Sequence, residues 1–149
     1  MNNQYLIDFA DYKDIDEWMN MVDIVKDDFP GLDMDDYRKG MEKTIERKTG
    51  ILARHDDKIV GLLIISRKNS EICFLAVHPD YRKKGIASKL LQFSFKEFKP
   101  KTDIKVTTYR EGDPKGTAPR KLYKRLGFIE DELLIEFDYP TQRFIKPSM

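Results

Sequence analysis

The chain has few of the residues that crosslink a fold or bind metal. It contains one cysteine, Cys73, and two histidines, His55 and His78, among 149 residues. A single cysteine cannot form an internal disulfide, and the two histidines lack the spacing of a metal-ligand pair. We therefore expect neither a disulfide framework nor a metal cofactor.

Long apolar runs and a strong net charge are also missing. No run approaches the roughly 20 apolar residues that span a bilayer, and no charged segment followed by an apolar stretch opens the chain. The formal net charge is +1, which gives no signature of nucleic-acid binding. We expect a cytoplasmic protein with neither a membrane nor a nucleic acid as its partner.

The composition that remains suits one folded domain. Hydrophobic residues make up 40% of the chain and charged residues 36%, which is typical of a globular protein with a well-solvated surface. The length allows a substantial single core, so we expect residues 1–149 to form one domain. Residues 1–36 hold eleven acidic side chains, and the simplest interpretation of such a run is a solvated helical face.

Residues 71–98 form the most informative stretch. The apolar run at 72–77 is too short for a helix and predicts a buried strand, whereas apolar residues spaced by three and four from Ile86 to Phe98 predict a helix. Gly85 lies between them and lets the chain turn closely, so that N–H groups and the positive end of the helix dipole converge on one point. This arrangement predicts an anion site made from backbone. The glycine spacings of the common nucleotide-binding loops are absent, which argues against a nucleotide-phosphate binder.

Periodicity and turn residues predict the other elements. Asp14 with Glu17 resembles a capping box at the start of one helix, and Asp33 is typical of the N-cap of the next. Strands are predicted at 5–9, 51–54, 59–66, 71–77, 104–109, 133–137 and 142–145, and further helices at 86–98 and 117–126. The order is β-α-α-β-β-β-α-β-α-β-β. Because a helix separates the strands at 71–77 and 104–109, we expect these two to form the one parallel pair in a mixed, mostly antiparallel α/β (α+β) sheet.

Two motifs carry a resemblance to a known family. Leu75-Ala76-Val77 precedes Arg82-Lys83-Lys84-Gly85-Ile86-Ala87, and Leu122-Tyr123-Lys124-Arg125-Leu126-Gly127-Phe128 follows later. They resemble the acetyl-CoA signature [RQ]-x-x-G-x-[GA] and the L-Y-x-K-x-G-F landmark of the GNAT superfamily of N-acetyltransferases. The resemblance covers about residues 5–146 as an order of elements, and it implies a single GNAT domain that acts as an acetyl-CoA-dependent acyltransferase.

The resemblance implies where acetyl-CoA would bind. In the family, the strand before the signature and the strand after its helix splay apart, and the pantetheine arm pairs with the exposed backbone. In this chain that backbone belongs to Leu75, Ala76 and Val77. The pyrophosphate would lie on the turn made by Arg82, Lys83, Lys84, Gly85, Ile86, Ala87 and Ser88.

The resemblance also implies catalytic groups. The backbone N–H of Val77 would polarise the thioester carbonyl, and Tyr123 would protonate the leaving thiolate. A phenol with a pKa near 10 is protonated at neutral pH and can donate to a thiolate of pKa about 8.5. The alternative for Tyr123 is an aromatic side chain that packs its helix on the sheet.

The base has two candidates. Glu71 stands eleven residues before Arg82, which resembles the position of the catalytic glutamate in the histone acetyltransferase branch. Many other relatives deprotonate the amine through ordered water, and a glutamate at a strand end is often only solvated. Cys73 lies within the same strand with no activating group nearby, so we expect a buried and inert side chain.

Two positions differ from the family's usual motifs. Gly116 stands where the family usually carries an asparagine, and Ala87 replaces the second glycine of the signature.

In the family the first two helices and the loop between them form a wall of the acceptor pocket. In this chain that loop is Phe29-Pro30-Gly31-Leu32, and the aspartates on either side of it are Asp27, Asp28, Asp33, Asp35 and Asp36. We expect a small cationic or lysine-like amine, free or in a peptide, although helix capping alone could explain several of these aspartates. The alternative function is a non-catalytic acetyl-CoA sensor, and the chain is expected to be a monomer or a homodimer.

Overall fold

The computed structural model describes residues 5–148, which contain seven strands and four α-helices. In chain order these are β1 (Leu6–Phe9), α1 (Ile15–Val25), α2 (Met34–Glu46), β2 (Gly50–His55), β3 (Lys58–Ser66), β4 (Glu71–Val77), α3 (Ile86–Phe95), β5 (Ile104–Tyr109), α4 (Thr117–Arg125), β6 (Ile129–Glu136) and β7 (Tyr139–Lys146). The predicted order of elements is confirmed. None of the helices in this part of the chain is long and apolar enough to cross a membrane.

The chain forms two compact units, and strand β4 contributes residues to both. The first unit comprises the chain up to Ile65 together with Phe74–Lys96, and the second comprises Ser66–Cys73 and the chain from Glu97 onward. The strand order is β1-β2-β3-β4 in the first unit and β4-β5-β7-β6 in the second. Strands β4 and β5 pair in parallel, while β1–β2, β2–β3, β5–β7 and β6–β7 are antiparallel. The predicted mixed, mostly antiparallel sheet is thus confirmed, whereas the single domain remains a prediction.

A glycine in β3 lets α3 pack closely on the first unit's strands. A Cβ atom on Gly61 would lie 2.9 Å from both Ile86 Cγ2 and Leu90 Cδ1. Both contacts are closer than side-chain carbons tolerate, so only glycine leaves room for this face of α3. Ile86 and Leu90 are fully buried as a result, and they fix the N-terminal end of α3 against the sheet.

Helix α1 starts where it was predicted to start, with Asp14 as its N-cap, but the Asp14 side chain makes no capping hydrogen bond there. The capping box belongs to a 3₁₀ turn at Tyr12–Asp14, where Asp11 is the N-cap and Asp14 is its reciprocal partner. Asp14 is also buried and paired with Arg54, because a buried carboxylate needs a cation. The predicted box of Asp14 with Glu17 was wrong, whereas Asp33 is the N-cap of α2 as expected and accepts from the amides of Asp35 and Asp36.

The closing strands are longer than predicted and turn at a different place. Phe137 and Asp138 join β6 to β7 with φ angles of 52° and 61°, and two consecutive left-handed residues make a tight hairpin turn. The turn predicted around Tyr139-Pro140 was wrong, because Pro140 lies within β7 opposite Ile135. The pairing of β7 with β5 begins one residue later, at Thr141, so the missing N–H of proline does not interrupt that ladder.

Candidate active site

The turn between β4 and α3 presents backbone amides. Gly85 is the N-cap of α3 with φ of 81°, and Lys83 before it also has a positive φ, 64°. The first helical bond runs from Lys89 N to Gly85 O at 3.0 Å. The amides of Ile86, Ala87 and Ser88 therefore have no partner within the helix, and Gly85 offers them no capping side chain. These amides and the helix dipole form a positive end that suits an anion.

The surroundings of this turn leave room for a ligand. Apart from the two chain neighbours of Gly85, none of the described residues has an atom within 4 Å of the position that a Cβ on Gly85 would take. Lys83 and Lys84 are exposed, and the first turn of α3 contains no acidic residue. The turn therefore combines a left-handed glycine, two exposed lysines and open space beside the start of α3, and the anion site remains a prediction.

Arg82 has partners that its sequence position did not indicate. Its Nε donates to Val77 O at 3.1 Å, and its terminal nitrogen donates to Asp28 Oδ2 at 3.3 Å. The guanidinium thus connects the last residue of β4 with the segment between α1 and α2. Arg82 adds to the positive field at the turn while stabilising the end of the strand.

Three aromatic rings join the segment between α1 and α2 to β4. The ring of Phe74 lies 4.5 Å from that of Phe29 and 5.1 Å from that of Tyr37. Trp18 Nε1 donates to the hydroxyl of Tyr37 at 3.0 Å. Burial raises the pKa of Tyr37 above its ordinary value, so this hydroxyl stays protonated. The segment between α1 and α2 and the start of α2 are therefore held against β4 by an aromatic cluster.

Tyr123 lies on α4 with its ring enclosed. The residue is 5% exposed, and its ring centroid is 5.5 Å from that of Phe128 and 6.1 Å from that of Phe144. Burial, followed by the nearby Tyr109, raises the pKa of Tyr123 above its ordinary value. The ring packs α4 onto β7, and the hydroxyl carries its proton throughout the neutral range.

The environment of Gly116 explains why the usual asparagine is absent. A Cβ at this position would lie 2.8 Å from Tyr109 Cβ and 3.3 Å from Arg120 Cδ. Any larger side chain would displace β5 or α4. The departure from the family motif is therefore a packing requirement, which the sequence alone did not reveal.

Glu71 and Cys73 lie near the start of β4. Glu71 is half-buried and pairs with Lys105 across the parallel ladder. Cys73 is exposed, so the prediction of a buried side chain was wrong: the strand alternates, and Ile72 takes the inward position. Although the residue is exposed, its thiol is partly desolvated, and this desolvation, followed by the Glu71 carboxylate, raises the pKa of Cys73 to about 11, so the sulfur stays protonated at neutral pH.

The fold matches solved structures along almost its whole length. An acetyltransferase of the GNAT family from Bacillus cereus ATCC 10987 superimposes with a TM-score of 0.76 at 21% identity, covering 98% of this chain and 99% of the other. Arabidopsis thaliana Naa50, solved with the bisubstrate analogue CoA-Ac-MVNAL, gives 0.75 at 20% identity over 95% and 97%. The ribosomal-protein-S18-alanine N-acetyltransferase of Escherichia coli gives 0.73 at 16% identity over 98% and 96%. At these identities the likeness shows a shared fold.

The family follows from the sequence itself. The acetyltransferase (GNAT) domain family matches residues 46–130, which are more than half of the chain and include the Gly85 turn and Tyr123. The chain therefore belongs to the GNAT family of acetyltransferases, as its two motifs predicted. No curated protein matches it significantly.

Proposed function

We propose that this enzyme transfers the acetyl group of acetyl-CoA to an amine, with the pyrophosphate of acetyl-CoA on the first-turn amides of α3. The observation that carries the proposal is the glycine N-cap at φ 81°, which offers those amides no capping side chain and follows two exposed lysines. Leu75, Ala76 and Val77 would offer their backbone to the pantetheine arm. When bound, acetyl-CoA supplies the acetyl group as an activated thioester.

The residues of the chain supply the proton and the hydrogen bonds. The N–H of Val77 would donate to the thioester carbonyl oxygen as negative charge develops there. The hydroxyl of Tyr123, kept protonated by burial, would donate its proton to the departing sulfur. Both interactions strengthen only as the transition state forms, so they affect turnover more than binding.

Replacing Tyr123 by phenylalanine tests this assignment. The substitution keeps the ring that packs on Phe128 and Phe144 and removes only the donor. We expect kcat, measured by release of free thiol at saturating acceptor, to fall by about 10²–10⁴-fold. The affinity for CoA in calorimetry should stay nearly unchanged. Full turnover by Tyr123→Phe would mean that the side chain only packs and that the proton comes from elsewhere.

Deprotonation of the amine is proposed to run through ordered water, with Glu71 as the alternative base. Glu71 is the first residue of β4 and Val77 is the last, so the two are separated by the length of an extended strand. Glu71 could therefore act as the base only through intervening water molecules. A Glu71→Gln variant with an unchanged pH profile of kcat would leave ordered water as the base.

The acceptor is proposed to be a small cationic amine or a lysine-like amine. Asp27 and Asp28 precede Phe29, whose ring packs on that of Phe74, so two carboxylates stand beside a fixed apolar surface. The Asp28 carboxylate already pairs with Arg82 and would be shared between that arginine and the acceptor. Such a surface can hold a protonated group and an alkyl chain together. Asp33 contributes less, because its carboxylate is used to cap α2.

A panel of polyamines, aminoglycosides, amino acids and lysine or N-terminal peptides tests the acceptor class. Asp27→Asn/Asp28→Asn should lower kcat/KM for a cationic acceptor several-fold at low salt and have little effect at high salt. Asp56→Asn/Asp57→Asn is the matched control, because it removes the same charge from the exposed β2–β3 turn. A preference for neutral or acidic acceptors would refute the proposal.

A further inference from the structure

Arg120 is a buried charge on the same helix as Tyr123. It precedes Tyr123 by three positions on α4, so the two side chains lie on one face of the helix. Only 7% of Arg120 is exposed, although a guanidinium stays charged under all ordinary conditions. Burying such a group is costly unless its donors are satisfied, so its partners define what it does.

The guanidinium of Arg120 has partners on three strands. It donates to Tyr109 O of β5 at 2.9 Å and to Gln142 Oε1 of β7 at 2.9 Å, and it forms an ion pair with Glu130 of β6. The planar fork of an arginine can serve all three at once, whereas a lysine ammonium cannot reproduce that geometry. One side chain therefore fixes α4 relative to β5, β6 and β7.

Arg120 and Tyr123 share an aromatic contact. The guanidinium carbon of Arg120 lies 4.8 Å from the centre of the Phe144 ring, and the Tyr123 ring packs on the same Phe144 at 6.1 Å. Phe128, the other ring against Tyr123, donates its amide to Tyr123 O at 2.9 Å. A rotation of α4 about its own axis would therefore break the hydrogen bonds of Arg120 and, at the same time, change the direction of the Tyr123 hydroxyl.

We propose that Arg120 is a positioning residue for Tyr123, fixing the rotation of α4 so that the phenolic hydroxyl points where the thiolate forms. The inference rests on the proposed role of Tyr123 as general acid. It predicts that loss of the Arg120 fork lowers kcat and spares acetyl-CoA binding. It also predicts that the loss disappears when the Tyr123 hydroxyl is absent.

The test is a double-mutant cycle with Arg120→Lys and Tyr123→Phe. Arg120→Lys alone should lower kcat by roughly 10- to 100-fold, the scale of a small misplacement of a catalytic group, and should leave the Kd for CoA within about twofold. In the Tyr123→Phe background, the same substitution should lower kcat by less than about threefold. Arg143→Lys is the matched control, because Arg143 pairs with Asp131 and Glu132 at the surface of the β6–β7 hairpin, and it should leave kcat unchanged.

The outcomes distinguish the positioning role of Arg120 from the role of Tyr123 as general acid. Equal losses in both backgrounds would overturn the positioning role while leaving Tyr123 as the acid. If Tyr123→Phe alone keeps full activity, the proposed acid fails, and the positioning role fails with it. Should Arg120→Lys not fold, Glu130→Gln removes one charged partner of the guanidinium and keeps its shape. If Glu130→Gln lowers kcat less than about tenfold and has no effect in the Tyr123→Phe background, the proposal is supported. If it lowers kcat equally in both backgrounds, the proposal is refuted.

Discussion

Replacing Gly85 by alanine separates the conformational role of this residue from its role in binding. Gly85 has φ of 81°, and an L-residue in the left-handed region costs about 1–2 kcal/mol. Apart from the two chain neighbours, none of the described residues has an atom within 4 Å of the new Cβ, so no clash with another part of the fold adds to that cost. For a chain of this size, thermal denaturation should show a fall in Tm of about 3–6 °C.

The effect on acetyl-CoA binding is separate from this strain. If the pyrophosphate lies on the first-turn amides of α3, the added methyl group would take up part of the open space through which it approaches. We expect calorimetry with CoA to show an affinity loss of about tenfold, which corresponds to about 1.4 kcal/mol. Gly85→Asp should lose about 100-fold or more, because a carboxylate about 4 Å from a phosphate adds repulsion of a few kcal/mol at the effective dielectric constant of a protein surface.

Gly112 provides the matched control. It has φ of 92°, and a Cβ on it would likewise meet none of the described residues within 4 Å. Gly112→Ala should therefore show the same fall in Tm with unchanged affinity for CoA. If Gly85→Ala binds CoA as tightly as Gly112→Ala does, the pyrophosphate does not lie on the α3 amides and the reasoning is refuted.

Two further predictions concern packing and the thiol. Gly116→Asn should lower the free energy of unfolding by about 1–3 kcal/mol in urea titrations, because its Cβ would overlap Tyr109 and crowd Arg120; an unchanged midpoint would show that the loop relaxes freely. Alkylation of Cys73 at about pH 8 should be about 100-fold slower in the folded protein than in urea, because a pKa raised to about 11 leaves little thiolate. The alkylation rate of the folded protein should also keep rising above about pH 9. Equal rates in the two states would contradict the raised pKa.

The α3 turn could be predicted from the sequence because its determinants are local. A short apolar strand, a glycine and a helical pattern follow one another within residues 71–98, and backbone amides at a helix start need no distant partner. The order of elements was predictable for the same reason. Tyr123 was assigned through a motif, and its enclosed position between Phe128 and Phe144 agrees with the packing alternative while keeping the hydroxyl protonated.

What the sequence did not show depends on long-range contacts. Arg82 was expected at the phosphate, yet its guanidinium bonds to Asp28, 54 positions earlier in the chain. Cys73 was expected to be buried because the apolar run around it concealed the alternation of the strand. The turn of the last hairpin was misplaced because proline signals a turn more strongly than Phe137-Asp138, although the left-handed conformation falls on the latter pair.

Gly116, in place of the usual asparagine, and the buried Arg120 depend on each other for packing. A Cβ at position 116 would lie 3.3 Å from Arg120 Cδ and 2.8 Å from Tyr109 Cβ, and Tyr109 also gives its carbonyl to Arg120. The glycine thus leaves the space through which the arginine reaches β5. A side chain at 116 would press on the aliphatic part of the same arginine that we propose to orient Tyr123. The loss of kcat in Gly116→Asn should therefore exceed what a local change of stability explains, and Arg120→Lys should add little to it.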